Sequence, residues 1–146
     1  MPKRGAFALV MTALAVVLLL GFAFPLWAER ADDIPTGADV LKMRAVGEKF
    51  VWNFQYPGLD GALGGMSLKY VDVATRNVIG RDLKDPNGKD DFVKGGTMTI
   101  PVGRPVIVEV TSKDVIHNLS LTPMRMAQDA TPGVRAHFWF RPTKTG

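Results

Sequence analysis

The 146 residues contain no cysteine. Disulfides are therefore excluded, and so is any metal centre that draws thiolates from these residues alone. Histidine is almost as scarce, with two in the chain, His117 and His137. The formal net charge of +4 is modest and no basic block concentrates it, which excludes nucleic acid as an expected partner. No internal repeat is present. What is plentiful is glycine, fifteen residues, and proline, ten, a balance that suits a loop-rich β protein.

The first feature along the chain is an uncharged stretch from Gly5 to Ala28, preceded by Lys3 and Arg4. It is longer than the apolar core of a secretory signal, and Leu26-Trp27-Ala28 is a poor cleavage site. About 20 apolar residues suffice to span a bilayer. Residues 1–28 are thus expected to be a retained transmembrane anchor. Lys3 and Arg4 favour a cytoplasmic N-terminus and place the rest outside. Residues 29–39, with Asp32, Asp33, Pro35 and Gly37, read as a linker. Residues 40–146 read as one domain.

Within that domain, polar and apolar residues alternate from Leu41 to Ala45, with Lys42 and Arg44 on the polar side. Phe50, Trp52, Phe54 and Tyr56 then place four aromatics on one strand face. A packed sheet face accounts for them without any function. Gly58 to Gly65 is a flexible loop. Met66 to Val73 alternates weakly and predicts a strand. Arg76 to Phe92 reads as a solvated polar segment, with a turn at Asp85-Pro86-Asn87-Gly88. Met98 to Val102 predicts a short strand, and Val134 to Phe140 another.

The stretch that organises the domain is Val106 to Gly133. Val106 to Thr111 is rich in β-branched residues and predicts a strand. A polar corner, Ser112 to Asp114, follows, and His117 stands just past it. A second apolar piece runs from Leu119 to Met126, and Ala130-Thr131-Pro132-Gly133 closes with a turn. A histidine at a strand rim is either an ordinary hydrogen-bonded side chain or a metal ligand presented by a rigid sheet. Met124 and Met126 read as packing residues. His137 has no motif around it and reads as a surface residue.

Three strings in this region carry a resemblance. They are Thr111 to His117, Gln128 to Gly133, and Trp139-Phe140-Arg141-Pro142-Thr143-Lys144-Thr145-Gly146, in that order. Together they resemble subunit II of cytochrome c oxidase. The resemblance implies a mainly β fold, a cupredoxin-like β-sandwich, carried by one N-terminal transmembrane helix. It implies that His117 occupies the position of a copper ligand in a binuclear centre. It makes Phe50, Trp52, Phe54 and Tyr56, followed by Pro57, the aromatic cluster at which electrons arrive. Here Phe50 stands where the family has a tryptophan. Asp114 and Asp129 fall at acidic positions of the family. Their expected work is structural, Asp114 holding the strand corner and Asp129 capping the following turn.

The implied partners are oxidase subunit I and other oxidase subunits, cytochrome c and the membrane. The implied location is a bacterial inner membrane, or its equivalent, with the domain on the periplasmic side. The family's remaining copper ligands, two of them cysteines, come from a loop just after the Pro-Thr-Lys-Thr-Gly segment. The resemblance therefore leads one to expect a subunit II whose ligand loop and final strand lie beyond Gly146. Two alternatives stand beside it: a copper-free subunit II of a quinol oxidase, and a membrane-anchored periplasmic copper-binding domain.

Overall fold

The computed structural model describes residues 2–31 and 34–146, and the chain divides into two units, Met1–Ile34 and Pro35–Gly146. The first is helical. Helix α1 spans Pro2–Leu18, a π turn spans Leu19–Ala23 and helix α2 spans Phe24–Ala31. In the widened turn Phe24 donates its N–H to Leu19 O, five residues back. The widening falls just before Pro25, whose missing N–H and bulky ring disturb a regular helix at this point. Arg4–Glu29 has a mean hydropathy of 2.7 over its most apolar window, and none of that window is buried within the chain. At 1.5 Å per residue its 26 residues reach roughly 39 Å, enough to cross a bilayer core.

The second unit is built on five strands in one sheet: β1 (Leu41–Glu48), β2 (Val51–Tyr56), β3 (Phe92–Gly95), β4 (Val106–Ser112) and β7 (Ala136–Phe140). Their order across the sheet is β3-β2-β1-β4-β7. β1 and β4 pair in parallel, and the other neighbours are antiparallel. A two-stranded ribbon, β5 (His117–Leu121) and β6 (Met126–Ala130), forms the second sheet. The result is a mainly β, two-sheet cupredoxin-like arrangement with one N-terminal apolar helix.

The core lies between sheet and ribbon. Met43 and Ala45 of β1, Phe54 and Tyr56 of β2, Val106, Val108 and Val110 of β4, and Phe140 of β7 meet Leu119 and Ala130 of the ribbon. The three β4 valines are fully buried, and each contributes on the order of 1.5–3 kcal/mol by leaving water. Met98, Met124 and Met126 pack against the edge of this cluster.

The opposite face of the sheet carries a polar row. Gln55, Arg44, Glu109 and His137 are register partners across β2, β1, β4 and β7. Arg44 Nε pairs with Glu109 Oε1, and Arg44 Nη1 donates to Gln55 Oε1 at 2.8 Å and to Gly64 O at 3.2 Å. Alternation alone puts Arg44 in solvent; instead it is 4% exposed. The 57–91 segment covers it. Asp91, expected in a solvated loop, is buried there and accepts from Gln55 Nε2 and from the N–H of Gly64 at 2.9 Å.

Two further expectations differ from the structure. Met66 to Val73 forms two isolated bridges, Met66 with Arg81 and Asp72 with Asn77, on either side of a 3-10 turn at Leu68–Tyr70. The Asn77 amide holds that turn, donating to Tyr70 O and Arg81 O at 2.9 Å each. Met98 to Val102 forms no strand; the N–H of Thr99 goes instead to Tyr56 Oη at 2.8 Å.

Candidate metal centre

β4 ends at Ser112 and the chain turns sharply before β5 opens at His117. Asp114 stands inside this corner and ties it together. Its Oδ2 accepts the N–H of Lys49 at 2.7 Å, reaching across to the β1–β2 hairpin, and its Oδ1 accepts the N–H of Val115 at 2.6 Å. The same Oδ1 lies 2.7 Å from His117 Nε2. Ser112 Oγ donates to Val115 O and accepts the N–H of Asp114. These bonds hold the Asp114 carboxyl well below the usual carboxylate range. The contact with His117 is the largest cause, partial burial opposes it, and the N–H groups of Val115 and Lys49 add to it.

The His117 side chain is 19% exposed. Trp52 meets its ring edge-on, with centroids 6.0 Å apart. An ionised carboxylate has no proton to give, so Nε2 is the donor to Asp114. In a neutral ring the lone pair is then on Nδ1.

The four aromatics do not share one environment. Phe50 sits in the hairpin turn with φ 71° and is fully exposed, off the face that alternation assigns to it. Trp52 lines the histidine. Phe54 and Tyr56 are core residues, and Tyr56 stacks on Phe92 at 5.0 Å. Burial pushes the Tyr56 hydroxyl up, against the lowering effect of the N–H it accepts from Thr99. Asp129 lies on β6 opposite Asn118, whose Nδ2 donates to its Oδ1 at 2.8 Å, so its carboxylate bonds across the ribbon. The structure thus gathers His117, Asp114 and Trp52, and leaves Phe50 and Asp129 outside that group. Sequence reasoning missed Gly47, which lies against the imidazole; its one signal was a glycine inside a strand run.

Among the described residues no group of three or more His, Cys, Asp or Glu side chains is disposed to hold a metal ion. One imidazole does not by itself make a binuclear copper centre, and these residues hold no thiolate to bridge two ions.

The family model for the cytochrome c oxidase subunit II periplasmic domain matches residues 41–146. An alternative cytochrome c oxidase subunit 2 of Bradyrhizobium diazoefficiens is 32% identical over 138 residues, which is 94% of this chain and 48% of the relative. A cytochrome c oxidase subunit 2 of Cereibacter sphaeroides is 26% identical over 150 residues, 92% of this chain and 47% of the relative. The chain spans about half the length of these curated relatives. The crystal structure of the periplasmic domain of cytochrome oxidase subunit II of Bradyrhizobium japonicum aligns at 28% identity with a TM-score of 0.48, covering 77% of this chain and 70% of that one. The family match takes in every strand of the sheet and the ribbon, and by it the chain belongs to the cytochrome c oxidase subunit II family.

Proposed function

We propose that this chain is the membrane-anchored, outward-facing part of subunit II in a haem–copper terminal oxidase. In that role it lies on the path of electrons from cytochrome c to oxygen reduction in subunit I. The observation that carries the reading is the fixed imidazole of His117, held by Asp114 and Trp52 within the family-matched residues 41–146. The apolar Arg4–Glu29 helix would anchor the chain, with Lys3 and Arg4 on the cytoplasmic side and the β domain in the periplasm. Phe50 and Trp52 would mark the face on which the electron donor docks, Phe50 from the exposed hairpin tip and Trp52 beside the histidine.

His117 is the position at which the family ligates copper. When bound, a binuclear centre takes up and releases single electrons. Its bridging thiolates would have to come from outside these residues, which contain no cysteine. The second reading is a copper-free structural subunit of a quinol oxidase. Membranes from cells lacking the chain, and from cells with it restored, separate the two. Oxygen uptake driven by reduced cytochrome c should fall on removal and return on restoration. Loss of quinol-driven uptake alone would replace the first reading with the second.

A further inference from the structure

Gly47 lies within β1, one residue before its end. Its φ is outside the left-handed region, so the backbone there suits any residue. Glycine weakens a strand, and without a conformational need it marks a close approach. The approach is specific. A Cβ at position 47 would lie 2.9 Å from His117 Cδ2, 3.0 Å from Cγ and 3.2 Å from Cβ, and these three atoms are its nearest neighbours. The register partners of Gly47 are Trp52 on β2 and Ser112 on β4. Trp52 contacts the imidazole, and Ser112 bonds to Asp114, which holds Nε2. Gly47 O also accepts the N–H of Lys113 at 2.9 Å, fixing the corner to the floor of the site.

We infer that Gly47 is a positioning residue for His117. Its missing side chain lets the imidazole lie across β1, with Trp52 against the ring and Asp114 bound at Nε2, so that Nδ1 is the nitrogen left for a ligand. A single methyl at position 47 displaces the ring, because floor, wall and carboxylate are all fixed to the same strands. The functional weight of this arrangement rests on the oxidase reading, but its geometry does not.

The test uses the full chain in detergent micelles with nitrogen-15-labelled histidine. There are two histidines, and His137→Gln assigns them. In the native chain His117 should show one tautomer, protonated at Nε2, with its ring protons shifted by the Trp52 ring. Gly47→Ala should mix the tautomers and abolish that shift. Gly95→Ala is the control, since its Cβ would be no closer than 3.6 Å to any atom, an ordinary contact; it should leave the His117 signals unchanged. If Gly47→Ala is too unstable for spectra, thermal midpoints decide. The loss caused by Gly47→Ala should shrink in a His117→Ala background, where the two ring atoms nearest the methyl are gone and only the 117 Cβ, at 3.2 Å, remains. Unchanged His117 signals in Gly47→Ala, equal disturbance by Gly95→Ala, or the same thermal loss with and without the imidazole would each overturn the inference. Oxidase activity enters none of these readouts, so they stand or fall apart from the proposed function.

Discussion

Replacing Arg44 by methionine removes the centre of the polar row while keeping much of the side chain's volume. Arg44 is 4% exposed, and its partner Glu109 retains 15% side-chain exposure. Without the guanidinium, Gln55 Oε1 and Gly64 O lose their donor. Glu109 keeps only Arg135 at 3.7 Å and His137 at 3.6 Å, both half-exposed. Removing one partner of a buried pair costs about 3–5 kcal/mol. The remaining Arg135 contact places Arg44→Met at the low end, about 3 kcal/mol, against a total of ~5–15 kcal/mol for a domain. That corresponds to a fall of roughly 10–20 °C in thermal midpoint for a domain near this size. The assay is near-ultraviolet circular dichroism of the full chain in detergent, which follows aromatic packing; both tyrosines and two of the three tryptophans, Trp52 and Trp139, lie in the β unit. Adding Glu109→Gln to Arg44→Met removes the stranded charge and should recover part of the loss. A loss below about 1 kcal/mol in Arg44→Met, or a further loss on adding Glu109→Gln, would refute the reasoning.

Phe50→Gly should stabilise the domain by about 1 kcal/mol in the same melt, because glycine adopts the left-handed conformation without the cost a side chain bears. Asp114 has a lowered carboxyl pKa in the folded state, so the stability it lends is complete above the unfolded value, about 3.9, and is lost as pH falls toward the folded one. Native protein should therefore show an acid-side fall in stability that is shallower in Asp114→Asn when both are melted from pH 7 to 3. The Arg4–Glu29 helix should keep the chain in the membrane fraction through alkaline carbonate washing; release with a new N-terminus near Glu29 would reverse the anchor assignment.

The strands that sequence reveals well are those whose two faces differ in chemistry. Val106 to Thr111 is dense in β-branched residues and becomes β4; Val134 to Phe140 alternates and becomes β7 two residues later. The β1–β2 hairpin was hidden because Lys49 and Phe50 are not turn residues, and Phe50 continues the aromatic alternation of 52, 54 and 56. The turn is imposed from outside, with Lys49 N–H held by Asp114, sixty-five positions away. Arg44 looked solvent-facing because period two says which residues share a face and nothing about what covers it. The cover is a long loop closed by Asp91 and Gly64. β6 was missed because the apolar piece ends at Met126 and Asp129 reads as a cap for the turn after it, whereas pairing of Gln128 and Asp129 with Leu119 and Asn118 makes them strand residues. His117 and Asp114 could be named from their string. Their contact, and the floor that Gly47 provides, depend on β1 lying beside β4 in parallel, a pairing no local pattern encodes.

The most direct measurement for the central claim is the reduced-minus-oxidised spectrum of the chain purified through an affinity tag from solubilised native membranes. The account predicts that haem bands of an oxidase subunit I co-purify with the chain in fixed proportion and persist through size-exclusion chromatography. A chain that elutes free of haem, with the oxidase haem recovered in other fractions, would contradict it.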